Sequence, residues 1–136
     1  MNKSEKLILI KYRMERAEES LEAAVLMYRN GMLIPAMNRI YYSMFYAVQA
    51  LLILDEQSFG KHGLVKGYFN KEYIKSGLFP KESGKLYNKV FEYRQKFDYI
   101  DLAVPEEDLI SDYIQKARSF ISDISTFLHN KLSELQ

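Results

Sequence analysis

Few side chains in this sequence can perform acid–base or metal-ligand chemistry. The chain has two histidines, His62 and His129, and no cysteine, so neither an internal disulfide nor a thiolate metal site can form. A di-iron carboxylate site in a helical bundle needs Glu-x-x-His pairs, but Phe59 and Thr126 stand three residues before the two histidines. No glycine-rich phosphate loop occurs either. The sequence therefore predicts no metal site and no cofactor.

The remaining candidates each allow two readings. His129, late in the last predicted helix, fits a charge partner for the helix C-terminus better than it fits a catalytic residue. His62 follows Lys61 at a predicted helix start, where it could have a structural or capping role or could contact a ligand. Arg94 and Asp98 are four residues apart, the spacing of an ion pair on one helix. Arg94 could instead hold a phosphate in a bidentate grip.

The second predicted helix, about residues 35–54, has two occupied faces. The first is apolar and contains Met37, Tyr41, Met44, Val48 and Leu51. The second face, here called the mixed stripe, contains Arg39, Tyr42, Tyr46, Gln49 and Ile53. Tyrosine and arginine bury area while keeping polar ends, so the mixed stripe suits a protein interface or a polar seam inside the fold. In such a seam Arg39 would pair with a carboxylate, and Asp98 is one candidate.

Helical periodicity covers almost the whole chain. The other predicted helices are residues 3–30, a short one at 62–74, 81–98 with Leu86, Val90, Tyr93 and Phe97 facing inward, and a last helix beginning at Pro105. The loops are brief and no segment alternates like a strand. We therefore expect an all-α fold, an antiparallel up-and-down four-helix bundle with an additional short helix, in one domain spanning residues 1–136.

The net charge, the distribution of charge and the lengths of the apolar runs limit the classes of function that this protein can have. The formal net charge is +1, so overall electrostatics do not indicate a nucleic-acid binder. Residues 61–96 carry nine Lys or Arg against three Glu, whereas residues 98–112 carry six acidic residues. This allows a local basic surface, or simply solvated lysines on helix faces. No apolar run approaches the roughly 20 residues of a membrane span, and the N-terminus does not resemble a signal peptide. We expect a soluble, cytoplasmic protein without a membrane partner.

Four segments in order resemble one known family. AMNRIYYSMFYAVQALL is similar to the small-x-x-R-x-Y-Y-x-x-F signature of HEPN-domain proteins, in their small stand-alone prokaryotic branch, and FEYRQKFDYID resembles the R-x-x-x-D-Y element of that family. FGKHGLVKGYF resembles its lysine-histidine entry into the third helix, and KARSFISDI its Ala-x-x-Phe pattern. The resemblance implies a five-helix fold with an up-and-down core and a homodimer. Many members are ribonucleases, and many are toxins paired with a small nucleotidyltransferase.

The resemblance also implies where a catalytic element would lie. In the family four to six residues separate an arginine, often followed by a polar residue, from a histidine, and both dimer copies line one cleft. Here the arginine is Arg94, its polar neighbour is Gln95, and Tyr99, preceded by Asp98, occupies the histidine's place. Histidine suits metal-independent RNA cleavage because its ordinary pKa is about 6.5, and losing acid–base help typically costs about 10²–10⁴ in rate.

Three functional hypotheses follow. The first is a toxin–antitoxin-like component that pairs with a minimal nucleotidyltransferase, its nuclease activity weak or absent because of Tyr99. The second is a non-catalytic dimer that binds RNA or a nucleotide through Arg94, Gln95, Arg39 and His62. The third is a metal-independent endoribonuclease whose catalytic residues are Arg94, Asp98 and Tyr99.

Overall fold

A computed structural model describes residues 1–134 of the chain. Its helices are α1 (Lys3–Arg29), α2 (Leu33–Leu54), α3 (His62–Phe69), α4 (Lys81–Tyr99) and α5 (Glu107–Glu134), and a π-helical turn, Asn70–Ile74, directly follows α3. The predicted all-α bundle of four long helices and one short helix is confirmed. None of the helices within residues 1–134 has the length and apolar character needed to cross a bilayer.

Local sequence signals explain where α1 begins and how the chain connects α1 to α2. Asn2 and Glu5 form a capping box, in which the Glu5 backbone N–H donates to Asn2 Oδ1 at 2.8 Å. Gly31 adopts a φ of +72°, the left-handed conformation that ends many helices and that glycine takes without strain. The connection is short, so α1 and α2 run antiparallel and pack extensively against each other.

The core is built around α2, which contacts α1, α4 and α5. Its predicted apolar face is confirmed, since Met37, Tyr41, Met44, Val48 and Leu51 are all completely buried. The mixed stripe is half-buried along its length, from Arg39 to Ile53. Thus α2 places one face in the core and a second, partly accessible face beside its neighbours.

The inward face of α4 differs from the sequence prediction. Val90 and Phe97 are buried as expected, but Leu86 and Tyr93 are only half-buried. Tyr87 is instead completely buried, with its ring centroid 5.3 Å from that of Phe69 on α3. The reason is that α3 and the π-helical turn also pack on α4, and their contact draws the neighbouring side of α4 into the core.

Candidate functional site

Three helices bring Arg94, His62 and Tyr41 together. His62 is the first residue of α3, and its Nδ1 lies 3.3 Å from Arg94 Nη1 on α4 and 2.9 Å from the hydroxyl of Tyr41 on α2. Asp98, one turn after Arg94, has its Oδ2 3.9 Å from Arg94 Nε. We call Arg94, His62, Tyr41 and Asp98 the Arg94 centre.

The contacts of His62 determine its proton position. Because a guanidinium can only donate hydrogen bonds, Nδ1 must be the acceptor, which leaves the ring proton on Nε2. Burial, and secondarily the charge of Arg94, lowers the pKa of His62 from its ordinary value. Burial raises the pKa of Tyr41 to about 12, so its hydroxyl keeps its proton and donates to Nδ1. The imidazole also stacks on Phe45 with 4.2 Å between ring centroids.

A second group of polar contacts joins α2 to Asp98. Asn38 Nδ2 donates to Asp98 Oδ2 at 3.2 Å, while Arg39 Nη2 donates to Asn38 Oδ1 at 2.9 Å. The suggested direct pairing of Arg39 with Asp98 is therefore wrong, because Asn38 stands between the two side chains. Arg94 Nε is buried and makes no hydrogen bond to residues 1–134, since 3.9 Å is too long for one. Asp98 is thus a charge partner of Arg94 without a hydrogen bond to it.

Arginines cover the tyrosines of the mixed stripe. The guanidinium carbons of Arg39 and Arg94 lie 4.8 and 5.3 Å from the Tyr42 ring centroid. Arg16 of α1 lies 5.2 Å from the centroid of Tyr46. These distances are typical of cation–π contacts. The stripe therefore carries a row of cations on aromatic rings, a combination suited to nucleic acid, which offers phosphates and flat bases.

The predicted site residues are only partly brought together. Arg94, Asp98, His62 and Arg39 belong to one connected cluster. Gln95 points to the exposed side of α4, and Tyr99, at its C-terminal end, is 74% exposed. Sequence reasoning assigned Tyr41 to the core alone and did not single out Asn38. Neither lies at a spacing that indicates contact with His62 or Asp98.

Among residues 1–134, no group of three or more His, Cys, Asp and Glu side chains is arranged to hold a metal ion. The Arg94 centre instead offers two donor groups, the guanidinium of Arg94 and the Nε2–H of His62, beside the single carboxylate of Asp98. A bidentate guanidinium and a neutral imidazole N–H can bind the oxygens of a phosphate.

Comparisons with known proteins identify relatives across nearly the whole chain. A family model described as HEPN domain matches residues 10–127. A Thermotoga maritima protein named "UPF0332 protein" is 43% identical over 130 residues, covering 96% of this chain and 97% of the relative. Two Methanocaldococcus jannaschii proteins, each named "Putative toxin", are 36% and 30% identical, covering 86% and 84% of this chain and 80% and 84% of their own lengths.

Proposed function

This chain belongs to the HEPN domain family, and we propose that it is a toxin-type component that binds RNA at the Arg94 centre and works with a small nucleotidyltransferase. Two relatives whose names contain the word toxin support the first part of the proposal. RNA cleavage by this protein is weak or absent. The observation that carries the proposal is the position of Arg94 against His62.

The charge of the centre favours an anionic ligand. Arg94 and Arg39 both cover the Tyr42 ring, whereas Asp98 is the one carboxylate that an ion pair or side-chain hydrogen bond links to these groups within residues 1–134. One guanidinium charge is therefore left without a carboxylate. A phosphate oxygen pair matches the fork of a guanidinium, and the planar guanidinium groups that lie on the tyrosine rings are themselves surfaces on which bases stack.

The hydrogen bonds of His62 favour binding over proton transfer. A general base needs a free lone pair within reach of the proton that it takes, but the Nδ1 lone pair accepts from Tyr41 and Arg94. A general acid needs the imidazolium, and the lowered pKa of His62 disfavours it. In this arrangement His62 positions Arg94 and can donate one hydrogen bond through Nε2. Weak or absent nuclease activity follows.

One observation favours a second candidate, a metal-independent endoribonuclease. His62 supplies from α3 a histidine 3.3 Å from Arg94, although the family's usual position is occupied by Tyr99. A phosphate that drew the guanidinium away would free the Nδ1 lone pair. His62 would then act as the base beside Arg94, in place of the predicted Tyr99.

An assay of RNA binding and cleavage distinguishes the proposed RNA-binding protein from the endoribonuclease candidate. Labelled RNA is incubated with chelator-treated wild-type protein, Arg94→Ala, His62→Asn, Tyr99→His and the control Arg118→Ala, whose arginine is exposed on α5. We expect the wild type and Arg118→Ala to bind RNA without cleaving it, and Arg94→Ala to bind weakly. Wild-type cleavage that disappears in both Arg94→Ala and His62→Asn would establish the second candidate. Absence of binding by the wild type would refute both.

The proposed partnership with a small nucleotidyltransferase is tested by expression in cells. We expect expression of this chain alone to slow growth and co-expression of a small nucleotidyltransferase to relieve the effect. Unimpaired growth at high expression of folded protein would contradict a toxin role. Light scattering of the purified protein tests the homodimer that the family resemblance implies.

A further inference from the structure

A cleft lies between α1, α2 and the connection from α2 to α3. It has a volume of about 510 Å³, and its walls include Arg13 of α1, Gln49 and Leu52 of α2, Phe59 of the connection and Val65 of α3. Apolar and polar groups share the walls in comparable amounts, since Glu56, Gln57 and Ser58 line the cleft beside Arg13 and Gln49. A lining of apolar side chains with several polar groups can hold a flat group and orient it through contacts at its edge.

The cleft continues the mixed stripe beyond the Arg94 centre. Arg16 Nη2 donates to the Tyr46 hydroxyl at 3.4 Å. Arg13 stands three residues before Arg16, and Gln49 stands three residues after Tyr46. Since α1 and α2 are antiparallel, both steps lead in the same direction, one helical turn along the pair. The cleft therefore lies one helical turn beyond the Arg16–Tyr46 contact, on the same surface of α1 and α2.

Two buried polar atoms of the cleft lack partners. Arg13 Nε and Gln49 Oε1 are both buried and make no hydrogen bond to any of residues 1–134. One is a donor and the other an acceptor, and neither is open to the cleft as the side chains stand. A ligand therefore reaches them only when Arg13 and Gln49 rotate toward it, and it must then present an acceptor and a donor. The edge of a nucleobase has this pattern, and glutamine and arginine are common readers of base edges. An isolated phosphate has acceptors only, and the exposed Glu56, which also lines the cleft, would repel it.

The distance from the Arg94 centre fits a strand of RNA. Gln49 is seven residues beyond Tyr42 on α2, which at about 1.5 Å per residue is roughly 10 Å along the helix. Stacked nucleotides of one strand advance about 3.4 Å each, so this span corresponds to about three nucleotides. Arg16 over Tyr46 lies between the two ends, where it can meet the intervening backbone.

We propose that this cleft is a nucleobase-binding subsite, in which Gln49 and Arg13 read the edge of a base about three nucleotides from the phosphate held at the Arg94 centre. The proposal rests on RNA binding as the proposed function. It adds sequence preference to a site that otherwise recognises only backbone and flat rings.

The test is competition binding with four RNA hexamers, A₆, C₆, G₆ and U₆, against the wild type, Gln49→Ala, Arg94→Ala and the control Arg118→Ala. A good bidentate base contact discriminates by about fivefold or more. We expect the wild type and Arg118→Ala to prefer one hexamer by at least that factor. Gln49→Ala should bind all four within about twofold, whereas Arg94→Ala should weaken all four while keeping the order.

A second measurement does not depend on variants. A hexamer with one photoreactive thiouridine is crosslinked to the wild type, and the attached peptide is identified by mass spectrometry. A crosslink at the Phe59 segment supports the subsite, while crosslinks confined to α5 overturn it.

In the competition assay, equal wild-type affinity for all four hexamers, with Arg94→Ala still weaker, refutes the subsite and leaves the proposed function standing. No binding of any hexamer refutes both. A Gln49→Ala protein that changes oligomeric state but not base preference assigns the cleft to an interface between copies, which also overturns the proposal.

Discussion

Substitution of Arg94 by alanine should change the salt dependence of RNA binding by a calculable amount. Three guanidinium groups, those of Arg16, Arg39 and Arg94, cover tyrosines of the mixed stripe. If each contacts one phosphate, the slope of log affinity against log salt is about −0.7 per contact for a single strand, or about −2 in all. From 50 to 200 mM salt the wild type should then lose about 18-fold in affinity. Arg94→Ala, with two contacts left, should lose only about sevenfold.

Fluorescence anisotropy with a labelled single-stranded RNA measures both slopes. Arg118→Ala is the matched control, because it removes the same charge from α5 and should keep the wild-type slope. A folded Arg94→Ala protein with an unchanged slope would refute the assignment of a phosphate to Arg94. A much steeper wild-type slope would refute the count of three contacts and indicate that the lysines of residues 61–96 bind the strand.

Two further predictions concern stability. Gly84→Ala should lower the free energy of unfolding even though alanine favours a helix by about 1 kcal/mol, because the new Cβ would lie 3.0 Å from Ile74 Cγ1 and Cγ2 and overpacking costs about 1–3 kcal/mol. Gly67→Ala, with open space at its Cβ, should be stabilising, and a reversed order in denaturant unfolding would contradict this packing. The lowered pKa of His62 gives stability that is fully present above its unfolded pKa of 6.5 and is lost as pH falls through the folded pKa. The melting temperature of the wild type should therefore fall more between pH 7.5 and 5.5 than that of His62→Asn, and equal falls would refute this.

The helices and the two faces of α2 could be predicted because they depend on local patterns. Steps of three and four residues mark the buried side of α2, and Gly31 marks the end of α1 through a conformation that other residues avoid. The inward face of α4 was harder to predict. Tyr87 and Leu86 are adjacent in sequence, and periodicity does not reveal which neighbour packs over them. In the structure Ile74 of the π-helical turn lies close to Gly84, which has no side chain, and Tyr87, three residues further along α4, is buried.

The Arg94 centre could not be predicted from spacing. His62 and Arg94 are 32 residues apart and lie on different helices, so their contact depends on how α3 docks against α4. The family motif predicts a catalytic side chain at the position of Tyr99, which is 74% exposed at the end of α4. It gives no reason to expect a histidine from α3 beside the arginine. Side chains that meet only through tertiary packing leave no periodic signal in the chain.

The arginines that cover the tyrosines of the mixed stripe also have a purely structural explanation. The distances to their charge partners allow the structural and the ligand-binding explanations to be compared. Arginines that serve only the fold could cover tyrosine rings and still pair closely with carboxylates. Here Arg16 lies 3.7 Å from Glu19, Arg94 lies 3.9 Å from Asp98, and Arg39 donates to the neutral Asn38. Both carboxylate distances exceed those of charge-assisted hydrogen bonds, about 2.7–2.9 Å. The aromatic contacts therefore stabilise the fold, while most of the hydrogen-bonding capacity of these cations remains for a ligand. A surface whose only purpose was packing would gain from tighter carboxylate pairs, and their absence among these residues favours an anionic partner.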